Sequence, residues 1–224
     1  MDSSQFMLRR VRRHGTRGSS SARKAPLELK DIWAIRLRLQ IGGRMRELAP
    51  FNLAIDSKLR SCDLVRLRVR DVCCNTSVVA SRTIVMQQKS QLLVQFELAE
   101  QTRDSLDTWI RSSDIGSEDY LLPSRLHASP HLSTRQYARI VGGWIREIGL
   151  DASANGTHTL RRTKASLIYR RTKNLRVVQL LLGHIKLEST VRYLRIEVDD
   201  ALESSEQTSR TPGKILVRRV WITD

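Results

Sequence analysis

Six side chains in this chain are of types that could act together on a phosphodiester: Arg60, Lys89, His158, Arg161, His184 and Tyr193. A phosphodiester under attack gathers negative charge on its non-bridging oxygens, so cations and donors aimed at those oxygens lower the barrier. Arg60 and Arg161 are suited to such a forked clamp, because a guanidinium presents parallel N–H donors to an anion. In His158-Thr159-Leu160-Arg161 the His and the Arg are three residues apart, which puts them on one face of a helix. His184 follows Gly183 at the end of the apolar run Leu180-Leu181-Leu182 and could donate to the same phosphate. Lys89 lies in a polar stretch between two strand-like runs, and at a hairpin tip it could hand a proton to a leaving oxygen. Tyr193, nine positions after His184, is the nucleophile of the set. A phenol leaves more readily than an alkyl alcohol, so a tyrosyl phosphodiester can be reversed by a sugar hydroxyl. Taken singly these signals are weak. H-x-x-R occurs in many helical proteins, a lone tyrosine is more often core, and a surface arginine or turn lysine is ordinary on a basic chain.

The composition fits an anionic partner. The 224 residues carry a formal net charge of +16 and a sequence pI of about 10.8. A protein this basic is expected to meet a polyanion, most often nucleic acid. A ribosomal or chromatin-like basic protein would share that balance. Length allows one domain of ordinary size with a tail, and 40% hydrophobic residues suffice for a core. Cys62, Cys73 and Cys74 form no C-x-x-C pair and their odd number closes no disulfide framework, so they are expected as reduced thiols in a cytoplasmic protein. No apolar run reaches the length of a membrane span and the N-terminus has no secretory apolar segment, so no membrane partner is expected. No metal or cofactor is expected either.

The elements that must position these residues follow from periodicity. Residues 1–25 are Ser-, Gly- and Arg-rich and are expected to be a disordered basic tail. After Pro26, Leu29, Ile32, Trp33, Leu37 and Ile41 recur at helical spacing up to Gly42-Gly43. A second helical pattern follows from Met45, and Pro50 is expected to kink or break it. Residues 59–67 read as a helix with Arg60 at its start and Leu64 and Leu67 inward. Between residues 78 and 98 the period changes, and the β-branched runs around Val79, Val85 and Val94 predict a small antiparallel sheet with Lys89 at a hairpin tip. Helices return over 99–112, then from a capping box at Ser133-Thr134-Arg135-Gln136 to Gly149, with Gly142-Gly143 inside as a sign of close packing. Further helices follow from His158 to about Tyr169, from Asn174 to Gly183, and around Tyr193. Another is expected from Glu197 to Thr208, and residues 209–224 read as a C-terminal tail.

In order, an arginine, a lysine on a hairpin, His-x-x-Arg, Leu-Gly-His and a tyrosine nine residues on resemble the catalytic boxes of the tyrosine recombinases, the phage integrase family. Residues 54–64 around Arg60 resemble the first-arginine box, and Leu160-Arg161-Arg162-Thr163-Lys164-Ala165 and Ser189-Thr190-Val191-Arg192-Tyr193 resemble the second and third. The resemblance covers about residues 27–208, so 26–208 is expected to form the catalytic domain. It implies a mainly α fold with a small antiparallel β-sheet, the DNA breaking-rejoining fold. It implies site-specific recombination of double-stranded DNA within a DNA-bound homotetramer, through a 3′-phosphotyrosine, without metal or nucleotide. Arg60, Lys89, His158, Arg161 and His184 would surround the scissile phosphate and Tyr193 would attack it. The chain differs from the family in three ways. Fewer than sixty residues precede Arg60, where a helical domain of the DNA clamp is usual, Lys89 is followed by Ser90-Gln91-Leu92 rather than Thr-Gly, and Pro50 interrupts the helix leading to Arg60. The enzyme reading is an integrase of a mobile element. The alternatives are a DNA-binding module or regulator derived from a shortened integrase, and a type IB topoisomerase-like relaxer.

Overall fold

The structure of the protein is a computed structural model that describes residues 26–74, 78–125 and 129–194. The expected basic tail over 1–25, the helix over 197–208 and the tail over 209–224 lie outside these residues. Eight helices and four short strands follow in order: α1 Leu29–Ile41, α2 Met45–Ser57, α3 Ser61–Leu64, β1 Cys73–Cys74, β2 Val78–Val79, β3 Arg82–Met86, β4 Leu93–Glu97, α4 Glu100–Ser113, α5 Thr134–Glu147, α6 Thr157–Thr172, α7 Leu175–Leu182 and α8 Leu187–Leu194. The fold is thus mainly α with small antiparallel sheets. β3 and β4 form a hairpin with Arg82 opposite Glu97 and Met86 opposite Leu93. β1 and β2 form a second, separate antiparallel pair. Its strand at Cys73-Cys74 is too short for a period-2 pattern to reveal.

The core is built around α2. Every residue from Leu48 to Ser57 is buried, and α2 packs on α1, α4 and α6. Phe51 meets Trp144 of α5 edge-to-face at 5.4 Å between centroids, an orientation that favours aromatic pairs. Of the kink or break expected at Pro50, the break does not occur: α2 is one helix from Met45 to Ser57. Proline removes one intrahelical hydrogen bond, and the burial of the whole surrounding helix offsets that loss.

α1 also departs from expectation. Its buried residues are Ile32, Ile35 and Leu39, whereas Leu29, Trp33, Leu37 and Ile41 are exposed. This helix is apolar on two faces, so periodicity alone could not say which one turns inward. α3 is shorter than the expected helix, although Leu64 and Leu67 are buried as anticipated. The capping box of α5 is present: Ser133 Oγ accepts from the Gln136 amide at 3.1 Å, and Gln136 Oε1 accepts from the Ser133 amide at 3.0 Å. Gly142-Gly143 does not mark close packing, since a Cβ at Gly143 would meet nothing within 4 Å and one at Gly142 only ordinary contacts. Asn174 caps α7 through its side chain, which accepts from the Val177 amide at 3.1 Å.

A second, smaller cluster joins the last three helices. Ala165, Val178 and Leu182 form its buried centre, with Ile168, Tyr169, Tyr193 and Leu194 packed against it. It sets α8, and therefore Tyr193, against α6. Among the described residues no helix is long and apolar enough to cross a membrane.

Candidate active site

α2 ends at Ser57, and Lys58 turns the chain with a left-handed φ of 55° into Leu59-Arg60. Lys58 is itself buried and its Nζ donates to the Asp56 carbonyl at 2.6 Å. Burial, then repulsion from Lys164, pull its ammonium down to about 8. Arg60 caps the N-terminus of α3 and donates from Nη1 to Gln87 Oε1. The same short helix is tied to the hairpin by Asp63, whose Oδ1 accepts from the Gln88 amide at 3.0 Å.

The segments carrying Arg60 and Arg161 are clamped to each other by an ion pair whose carboxylate is buried and whose ammonium is half-buried. Asp56, four residues before Arg60, pairs with Lys164, three residues after Arg161. Its other oxygen accepts from Thr102 Oγ1 at 2.6 Å and from the Ala99 amide at 2.8 Å. Burial by itself pushes the Asp56 carboxyl up, but Lys164 and these hydrogen bonds outweigh it and hold the group below its usual range.

Arg161 points inward from α6 and is 3% exposed. Its Nη2 donates to the Leu182 carbonyl at 2.9 Å, while Nη1 is buried with no hydrogen-bond partner among the described residues. The next residue after Leu182 is Gly183, at φ +63°. A Cβ there would come within 2.6 Å of Val94 on β4, so both the left-handed turn and the press of the hairpin require glycine. This close approach brings the end of α7 onto the hairpin and leads directly into His184.

His184 Nδ1 lies 3.1 Å from Thr190 Oγ1, and its ring stands edge-on to Tyr193 with centroids 5.4 Å apart. Burial first, then the charges of Arg161 and Arg60, pull the imidazole down to about 4, so it is neutral at pH 7. The Tyr193 ring lies under two guanidinium groups, Arg162 at 5.0 Å and Arg161 at 5.9 Å from its centroid. Its hydroxyl is buried without a hydrogen-bond partner of ordinary geometry. Burial raises the phenol above its usual value; the charges of Arg161, Arg162 and Arg60 and the N–H groups of Arg161 beside the hydroxyl oppose that rise only in part.

The fold therefore brings Arg60, Arg161, His184 and Tyr193 to one place, although they come from four separate segments. Lys89 is exposed on the turn between β3 and β4, two residues beyond Gln87, and makes none of these contacts. His158 is exposed in the first turn of α6, one helical turn before Arg161. Four participants had no sequence signal that set them apart: Gln87, Asp56, Lys164 and Thr190. Asp56, Lys164 and Thr190 lie inside the stretches that resemble the catalytic boxes, and Gln87 lies outside them. The site offers a cluster of cations and, beside each other, a buried guanidinium N–H and a buried phenol that lack hydrogen bonds of ordinary geometry among the described residues. That set matches an anion held next to a nucleophile.

The sequence and the fold have known counterparts. The family described as the Phage integrase family matches residues 28–199. A probable integrase/recombinase of Bacillus subtilis, YoeC, is 29% identical over 157 residues, which are 69% of this chain and 80% of that protein. A tyrosine recombinase of Pseudothermotoga lettingae is 33% identical over 171 residues, 76% of this chain and 55% of that protein. The tyrosine recombinase XerD of Brucella abortus is 35% identical over 103 residues, and the match spans only 33% of it. Among solved structures, the XerA recombinase superposes with a TM-score of 0.67 at 20% identity, covering 85% of this chain and 66% of that one. XerH recombinase bound to its difH substrate before cleavage gives 0.62 at 17% identity, covering 81% and 53%.

Proposed function

The chain belongs to the phage integrase family, and from that premise and the site geometry we propose that it cuts and rejoins double-stranded DNA through a covalent 3′-phosphotyrosine. The observation that carries this reading is the burial of Arg161 Nη1 and Tyr193 Oη in one cationic cluster, neither with a hydrogen bond of ordinary geometry among the described residues. Buried polar groups are ordinarily satisfied, and a phosphodiester would satisfy both, as oxygen acceptor to the guanidinium and electrophile to the phenol.

In this mechanism Arg60 and Arg161 hold the non-bridging oxygens of the scissile phosphate. His184 helps although it is neutral. In this mechanism the Thr190 hydroxyl, 3.1 Å away, donates to Nδ1, which assigns the ring's single proton to Nε2 for donation to the phosphate. The Tyr193 oxygen attacks phosphorus and loses its proton to His158, an imidazole one turn along α6 from Arg161. The P–O5′ bond breaks, and the leaving oxygen takes a proton from Lys89. The hairpin turn must carry Lys89 from its exposed position toward the phosphate when DNA binds. Reversal by a 5′ hydroxyl of a second strand restores the tyrosine and joins the new strands. Strand exchange between two sites requires four such subunits on DNA, so the active form is a homotetramer, and its setting is the cytoplasmic nucleoid. Residence on a mobile element as its integrase is the biological role that fits a basic, DNA-seeking enzyme of this family.

The test uses nicked duplexes, selected for binding from a random pool, in which the cut strand loses a short 5′ end and the covalent adduct accumulates. Wild type forms an adduct, and Tyr193→Phe forms none while binding the same DNA. Lys89→Ala slows the adduct but leaves affinity and stability nearly unchanged. Tight binding by wild type with no adduct would overturn the enzyme and leave a DNA-binding module. Relaxation of supercoiled plasmid without exchange between sites would leave a topoisomerase.

A further inference from the structure

Gln87 ends the β3 side of the hairpin and is 1% exposed. Both ends of its carboxamide are engaged. Oε1 accepts from Arg60 Nη1 and from Ser90 Oγ, the latter at 2.9 Å. Nε2 donates to the Leu182 carbonyl at 3.1 Å. That carbonyl is the one that also accepts from Arg161 Nη2 at 2.9 Å. One side chain thus joins Arg60, the turn bearing Lys89, and the helix end that holds Arg161 and leads to His184.

We propose that Gln87 is a positioning residue that sets the spacing of the two-arginine phosphate clamp; this rests on the cleavage reaction proposed above. An amide is the side chain that can do this. It accepts from Arg60 without neutralising it, so the full guanidinium charge remains for a phosphate. A carboxylate at the same place would pair with Arg60 as an ion and would repel the Leu182 carbonyl. An apolar side chain would leave Arg60 free to rotate about its long stem and would separate it from Arg161. The arrangement uses only one of the donors of Arg60, leaving the rest of the fork for the ligand. Positioning of this kind matters because misplacement of a catalytic group by about 1 Å can cost on the order of 100-fold in rate.

The experiment measures single-turnover adduct formation by wild type, Gln87→Met and Gln87→Ala on two nicked duplexes. One carries the natural scissile phosphate and the other a methylphosphonate, in which a methyl group replaces one non-bridging oxygen and removes the negative charge. Gln87→Met fills the space of the amide with no hydrogen bonds, and thermal unfolding checks that each variant is folded. On the phosphate, both variants form adduct about 10–100-fold more slowly than wild type, with DNA affinity within about 3-fold. On the methylphosphonate the difference from wild type shrinks to about 3-fold or less, because the clamp has less charge to hold. Arg60→Ala shows the same pattern. Equal rates for wild type and Gln87→Met on the phosphate overturn the inference. An equal slowdown on both substrates also overturns it, since damage to the fold does not discriminate between them. Absence of any wild-type adduct on the phosphate refutes the cleavage reaction itself and this inference with it.

Discussion

Removing the Asp56 carboxylate tests what holds the two arginine-bearing segments together. Asp56 is 5% exposed and joins Lys164 of α6, Thr102 of α4 and the Ala99 amide to the end of α2. Asp56→Ala leaves Thr102, itself 1% exposed, and the Ala99 amide without their acceptor, and leaves Lys164 beside the buried Lys58 with no counter-charge. Stranding one side of a buried charged network costs about 3–5 kcal/mol. For a chain of this length each kcal/mol lowers Tm by about 2–4 °C, so a fall of about 6–20 °C is expected. Lys164→Met should cost only about 1–2 kcal/mol, because its side chain is 32% exposed and Asp56 keeps its other two donors. The deficit of Asp56→Ala also depends on pH. The folded carboxyl titrates below its unfolded value, so its stabilisation is complete above about pH 4 and is lost as the pH falls through the folded value. Thermal unfolding measures the fall in Tm, and urea unfolding at pH 7 and at pH 3 measures the two deficits and their pH dependence. A deficit under about 1 kcal/mol for Asp56→Ala at pH 7, or one no larger than that of Lys164→Met, would refute this account of the pair.

Two further outcomes follow from the same region. Gly183→Ala combines a left-handed backbone, about 1–2 kcal/mol for a residue with a Cβ, with an overpacked contact on Val94, about 1–3 kcal/mol. A urea midpoint equal to that of wild type would show that the hairpin does not press on this turn. His184 titrates at about 4 when folded against an ordinary 6.5, so the unfolded chain binds its proton first and stability rises with pH between those values. Because the ring is only half-buried, solvent screening reduces the effect to about 1–2 kcal/mol. Replacing it by Asn should flatten that part of the stability profile, and an unchanged slope would place the titration elsewhere.

Several elements were readable from a few adjacent residues. The Ser133 capping box, the Asn174 cap and the stop at Gly183 are local chemistry, since a helix end is satisfied by side chains within three or four positions. The hairpin was readable from its β-branched runs, and the turn does carry Lys89. Where reading failed, a long-range contact had decided the outcome. α2 survives Pro50 because three other helices bury it. The inward face of α1 is chosen by its neighbours, since Trp33 and Leu37 are as apolar as Ile32 and Ile35. Gln87 lay in a polar stretch read as a turn, and nothing in its neighbours marks it as the acceptor for an arginine 27 positions away.

The sequence by itself determined which chemistry was on offer: two arginines, two histidines, a lysine and a tyrosine, in an order that matches the family to which the chain belongs. Residue type sets charge, donors and nucleophilicity, and these do not depend on the fold. The tertiary structure alone decided how those groups are set against each other. It buried Arg161 and Tyr193 beside each other, pulled the His184 imidazole down to about 4, and linked Arg60 to Arg161 through Gln87 and the Leu182 carbonyl. It also left Lys89 exposed on its turn, outside those contacts. Burial and hydrogen-bond geometry are sums over segments far apart in the chain, so no local stretch of residues contains them.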